Sequence, residues 1–330
     1  PAEFYSYENC GMTTGAYQQA MLYRYAVTQD PQALARSRRC FAAQKYVFEI
    51  GKQLEEGFFP KIYGNRFSPE TSTDQVLYTV SAMDHFHHYA TEAEKKEIGY
   101  IIAAMIRFWV KRDYHYDYFA IKNMLWPLAR FPMLLLLAYK HSGDELFKKE
   151  YERLLAQGVN EQPGEQQLTP KLAGLWPPTP YEAARHAWLL NNMADCTTMD
   201  VMELDYLLRH DPQNTWASKW KKSMIQMWDE GKITLAPDGS IYSTVLIDMD
   251  TKKIRRPEPQ MLKDSLYQDL GEWSFNNYLH GASSGWSTMM ARAGVQVHYH
   301  HPSAPEIPST VHHVLSSIGL HDLTYYNEPQ

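Results

Sequence analysis

The sequence predicts an all-α chain of stacked helical hairpins, and two observations carry that expectation. Apolar residues recur every three or four positions through most of the first 230 residues, the spacing of one helix face. Similar turns also recur near residues 30, 91, 144 and 211. That spacing of roughly 55 to 65 residues is the length of two helices and two loops.

The elements follow in order. A first helix is expected over 14–28, with Tyr17, Ala20, Met21 and Tyr25 on one face, and a second over 31–55. Asp30 is a favourable N-cap between them, and Pro31 falls at the first helical position, where a missing N–H costs nothing. A third helix over 72–90 starts at a capping box of Ser72 with Gln75, which places Asp74 in the first turn beside the positive end of the helix dipole. A fourth over 92–112 starts at Thr91. Helices over 122–141 and 144–157 come next, then 181–209 and 213–230, with Asp144 and Asp211 as caps and Pro212 at a first helical position. Shorter helix-pair repeats of about 34 residues do not fit this period.

The repeat is asymmetric. Turns after the odd helices are short and charged. Segments leading into them are long and aromatic: "FYSYENCGMTTGAY", "FFPKIYGNRFSPETSTDQ", "KRDYHYDYFAIKNMLWP" and "LAGLWPPTPYEAARH". The even helices carry charge, as in "EAEKKE", "FKKEYER" and "ASKWKK". Odd helices therefore form an inner layer, even helices an outer one, and the long loops open on one face. Residues 232–256 alternate apolar positions around Pro237-Asp238-Gly239-Ser240, the signal of a small inserted β-hairpin. A ninth helix follows "EWSFNNYLHGASSGW", and a tenth is expected over 304–318. Five hairpins are read. No composition shift marks a linker, so 1–330 is expected to be a single domain.

Composition narrows the function. A net charge of −6 without a long basic run argues against nucleic-acid binding, which needs clustered cations. The longest apolar stretch, Phe131 to Ala138, falls short of the roughly 20 residues that span a bilayer. Three widely spaced cysteines, Cys10, Cys40 and Cys196, imply no disulfide framework and no CxxC zinc site. No signal peptide is visible, and a chain beginning at Pro1 is compatible with a removed one. The compartment stays open, with periplasm or secretion favoured over cytoplasm. Nucleotide, zinc-protease and serine-hydrolase motifs are absent from the sequence. The 23 Tyr, 9 Trp and 14 His, many of them in loops, suggest a groove for a flat, hydroxyl-rich ligand.

The opening "NCGMTTGAYQQAMLYRYAVTQDPQALARSRR" and the "STDQ" at 72–75 resemble the (α/α)6 toroids of the six-hairpin glycosidase superfamily. The resemblance covers most of the chain, is architectural, and names no single family within the group. It implies a sugar-binding funnel on the loop face, aromatic platforms, and acidic catalysts near the starts of inner helices. The same architecture hosts polysaccharide lyases and epimerases, so the fold does not fix the chemistry.

Glycosidic cleavage usually takes two carboxyl groups, one protonating the leaving oxygen and one activating water or attacking carbon. Asp74, at an inner-helix start, is the first candidate. Asp117 is the preferred partner and Asp113 its alternative, both in "DYHYDYFAIKN". Tyr114, His115, Tyr116 and Lys122 lie in the same stretch as substrate-binding candidates, with Tyr17 on the first helix. Arg185 and His186 suit a carboxylate-bearing sugar, because Arg recognises carboxylates bidentately. Trp273, His280 and Trp286 offer stacking and hydrogen bonds. Glu8 and Asn9 read as structural. His298 and His300 alternate as in a strand, but they lack companion ligands and read as ordinary loop histidines. No metal or cofactor is expected. The leading expectation is a glycoside hydrolase acting on oligo- or polysaccharides, including uronic-acid-containing ones. The alternatives are a lyase using Tyr or His, an isomerase using His pairs, and a non-catalytic glycan-binding protein.

Overall fold

The computed structural model describes residues 10–63, 66–114, 129–156, 193–230, 234–235, 241–247, 254–255, 273–279 and 285–304. Helices dominate these residues, as expected. None of those helices is long and apolar enough to cross a membrane. Contacts divide the chain into two compact units, Pro1–Val159 and Asn160–Gln330, each described by itself.

The first unit holds three helical hairpins: α1 (Cys10–Thr28) with α2 (Pro31–Lys52), α3 (Thr73–His87) with α4 (Glu92–Val110), and α5 (Arg130–Ser142) with α6 (Glu145–Ala156). α1 packs on α3 and α3 on α5, while α2, α4 and α6 each pack on the first helix of their own hairpin. α4 packs on α5 of the next hairpin as well. α3, in the middle, buries every residue from Gln75 to Met83, whereas nine of the 22 residues of α2 are exposed. The core between them is apolar, with Leu22, Phe48, Leu77, Ile102, Leu134 and Phe147 all buried.

The expected caps explain where the helices begin. Asp30 Oδ1 accepts the Gln32 amide at 2.9 Å, with Pro31 behind it. Asp144 Oδ1 accepts the Leu146 amide at 3.0 Å, after Gly143 has closed α5 in a left-handed conformation. Thr91 and Glu94 form a complete capping box. At Ser72 only half of the expected box exists. Ser72 Oγ accepts the Gln75 amide at 3.4 Å, but the Gln75 side chain makes no hydrogen bond. It is buried against the first turn of α1, where a Cβ on Gly11 would come within 2.7 Å of its Oε1.

Gly15 and Gly57 are among the glycines that permit close backbone approach. A Cβ on Gly15 of α1 would lie 2.5 Å from the Tyr78 carbonyl oxygen, so α1 and α3 meet there backbone to backbone. Gly57 has φ +88°, and a Cβ there would lie 2.0 Å from the Ala104 carbonyl oxygen.

Bonds between hairpins recur one repeat apart. Arg38 bonds to Glu94, 56 residues on, and Glu55 to Arg112, 57 residues on. Asp84 accepts from Lys140 and His141, at 56 and 57. Equivalent positions of successive hairpins are therefore neighbours, which gives the sequence period a physical meaning.

Some expectations are corrected. The segment before α3 carries a small antiparallel pair, β1 (Lys61–Tyr63) and β2 (Arg66–Ser68), that was not expected. Phe58, Phe59 and Tyr114, aromatics of the long loops, are buried in the core. In the second unit, α7 (Met193–His210) leads not to Pro212 but through turns to α8 (Ala217–Glu230). Asn214 Oδ1 accepts the Trp216 amide at 2.9 Å there, taking the capping role expected of Asp211. The expected starts at 122 and 181, and the tenth helix, lie outside the described residues.

The second unit also contains a sheet. β3 (Thr234–Leu235) and β4 (Ile241–Ile247) form the expected hairpin, with Leu235 opposite Ile241. β5 (Ile254–Arg255) pairs with the far end of β4, and β6 (Trp273–Leu279) pairs along all of it, both antiparallel. Because Ile241 and Ile247 each have partners on two sides, β3 and β5 share one edge of β4 and β6 takes the other. β6 replaces the loop expected at 273–279. Its register sets Trp273 opposite Ile247, Phe275 opposite Val245 and Leu279 opposite Ile241, positions that alternate onto one face. α9 (Gly285–His300) packs on α7 and α8. His298 and His300 lie in its last turn, so their strand-like spacing is helical.

Candidate functional site

The short turns reverse the chain within each hairpin, so the starts of α3 and α5 and the end of α4 share one end of the first unit. Asp74 stands there, in the first turn of α3, with its side chain 28% exposed. Its partner is Arg130, the first residue of α5. One guanidinium nitrogen, Nη1, donates to Thr73 Oγ1 at 2.7 Å and to Asp74 Oδ1. The Arg130 side chain is only 1% exposed. A cation removed from water to that degree demands a carboxylate opposite it, because the desolvation cost per ion is several kcal/mol, on the order of the attraction that repays it. Helix dipole, Ser72 cap and buried guanidinium therefore hold a carboxylate at the surface, one oxygen bonded inward.

Asp113 follows α4 in a left-handed turn, φ +46°, and Tyr114 has φ +62°. Two consecutive non-glycine residues in that region are strained and persist only where their surroundings fix them. Here the fixing is visible. The Tyr114 ring packs on Phe131 at 4.6 Å, and its hydroxyl donates to Glu150 Oε2 at 2.7 Å. Arg153 Nη2 donates both to Glu150 at 2.8 Å and to Asp113 at 2.9 Å. Burial, then the Glu150 carboxylate, pushes the Tyr114 phenol far above its usual range. Burial acts to raise Glu150 as well, but the bonds from Arg153 and Tyr114 outweigh it and hold Glu150 low. Tyr114 is thus an anchor inside the protein rather than a ring offered to a ligand. Asp113, 71% exposed, keeps its carboxylate in water.

Of the other expected residues, Tyr17 is exposed on α1. Trp273 lies on β6 and Trp286 in the first turn of α9, both placed by backbone. Asp117, His115, Tyr116, Lys122, Arg185, His186, His280, Glu8 and Asn9 lie outside the described residues. Among the described residues, Asp74 is bonded to none of the expected set. Nor does any group of three or more His, Cys, Asp or Glu there have the placement of a metal site.

Arg130, Thr73, Glu150 and Arg153 were not singled out from the sequence. The signal for Arg130 was present: it is a lone cation in "WPLARFPMLLLLA", 56 residues after Asp74, one repeat away.

Two further polar clusters are partly buried. Near the other end of α3, Asp84 Oδ1 accepts from His141 Nε2 and Lys140 Nζ, each at 2.7 Å, with the His87 ring 4.6 Å from that of His141. In the second unit, Asp205 accepts from Arg209 at 2.7 Å and from Gln296 and His300 at 2.9 Å, tying α7 to α9. Comparisons of this chain with known protein families, curated proteins and solved structures gave no match.

Proposed function

We propose that this chain is a carbohydrate-active enzyme, a glycoside hydrolase on an α/α toroid acting on oligo- or polysaccharides, uronic-acid-containing ones among them. The observation that carries the proposal is Asp74, a partly exposed carboxylate at a helix start, locked by a buried guanidinium. A carboxylate held in this way suits activation of water or attack on an anomeric carbon. The second carboxyl, protonating the leaving oxygen, is assigned to Asp117 or to the exposed Asp113. Tyr17, Trp273 and Trp286, with the residues of 115–122 and 185–186, are the proposed sugar contacts. The six-hairpin resemblance of the sequence supports the same reading. Tyr114 is not proposed as the base of the alternative lyase reading, because its buried hydroxyl already donates to Glu150.

The test is a screen of neutral and uronate-capped oligosaccharides with wild type, Asp74→Asn, Asp117→Asn and Asp113→Asn. Asp74→Asn is expected to lose about 10²–10⁴-fold in kcat, the range of a general acid or base. The products should be saturated sugars. An Asp74→Asn protein with undiminished turnover would remove the central assignment, and unsaturated uronate products would make the protein a lyase.

A further inference from the structure

We propose that Thr73 and Arg130 form a clamp that positions the Asp74 carboxylate, an inference that rests on Asp74 being catalytic. The geometry is specific. A guanidinium Nη carries two N–H groups in a fixed plane. In this structure one donates to the Thr73 hydroxyl at 2.7 Å and the other to Asp74 Oδ1. Thr73 is buried, and its β-branched side chain has few allowed rotamers, so its hydroxyl is a fixed point. Arg130 is buried too and starts a different helix, so the clamp also sets α5 against α3 at the proposed catalytic end. Asp74 is then oriented from behind through Oδ1, which leaves Oδ2 as the oxygen free to meet a substrate.

Position matters here because small misplacements of a reacting group are costly, with a shift of about 1 Å worth up to about 10²-fold in rate. A clamp of this kind acts on kcat rather than on substrate binding. Thr73→Val keeps the shape of the side chain and removes the acceptor. Thr73→Ser keeps the acceptor. Arg130→Lys keeps the charge but cannot hold both oxygens in one plane.

The experiment measures kcat and KM separately for these three variants on whatever substrate the wild type hydrolyses, and determines the crystal structures of Thr73→Val and Thr73→Ser. Thr73→Val and Arg130→Lys are expected to lose about 10- to 100-fold in kcat with KM within about twofold of wild type. Thr73→Ser should restore most of the rate. The Asp74 carboxylate should swing away in the Thr73→Val crystal and stay in place in Thr73→Ser. Wild-type kcat in Thr73→Val, alongside a dead Asp74→Asn, would overturn the clamp and leave the hydrolase reading intact. An unmoved carboxylate in the Thr73→Val crystal would overturn it as well. Full activity of Asp74→Asn, or no turnover of any sugar by wild type, would instead overturn the hydrolase reading and the positioning role with it.

Discussion

Asp84 is one of the carboxylates that tie the second repeat to the third. Burial acts to raise its protonation range, but the bonds from His141 and Lys140 outweigh burial and hold it below the ordinary Asp value. A depressed carboxylate contributes stability that is fully present above the unfolded-state value, about 3.9, and is lost as pH falls through the folded-state value. Asp84→Asn should therefore destabilise the protein by about 3 kcal/mol at pH 7, since it also leaves the 2%-exposed His141 side chain without its carboxylate. The difference from wild type should shrink below about pH 4. Denaturant melts from pH 7 to pH 3 check this, and a constant difference across that range would assign the effect to packing alone. Residues of this kind were hard to read from the sequence. Nothing local in "SAMDHFHH" names for Asp84 a partner 57 residues away. Asp74 was legible because its role begins with a local feature, the Ser72 cap. Arg130 offered only a non-local signal, a lone cation one repeat after Asp74, because its role exists only once two helices are packed.

At the level of elements, α1 and α3 make the closest contact between the first two hairpins, and Gly15 is what allows it. A methyl group there would meet the Tyr78 carbonyl oxygen at 2.5 Å, which is backbone and cannot rotate aside. Gly15→Ala should therefore force the helices apart and cost about 1–3 kcal/mol, the range for overpacking, although alanine is the better helix former. Thermal melts should show a clear drop. A neutral or raised midpoint would mean that α1 and α3 can separate without loss. Helix existence and the caps at Asp30, Thr91 and Asp144 were legible because periodicity and capping are local. β1, β2 and β6 were missed for different reasons. The first pair is three residues a side, and its cue was Gly64-Asn65 between short segments with a central apolar residue, Ile62 and Phe67. β6 alternates Trp273, Phe275 and Leu279, but its pairing with β4 spans more than 25 residues of chain, and an aromatic alternating run also reads as a binding loop.

For the molecule as a whole, the hairpin repeat was legible because side chains one period apart bond to each other, as Arg38 with Glu94 and Glu55 with Arg112 do. No shift in linker composition accompanies the two compact units into which the contacts fall. Each unit has its own core: Leu77, Ile102 and Leu134 in the first, Leu204, Leu207, Trp220 and Val297 in the second. Regions with separate cores open as separate cooperative units, each with its own free energy. Leu134→Ala should cost about 2–5 kcal/mol as a cavity in the first core. That loss should appear as faster amide exchange across α1 to α6, with α7, α8 and α9 exchanging as in wild type. Leu207→Ala should do the reverse. The two variants serve as each other's control, because a general loosening of the protein would speed exchange everywhere in both. Exchange that rises across the whole chain in either variant would show one cooperative unit, and the separate cores would then be two parts of a single fold.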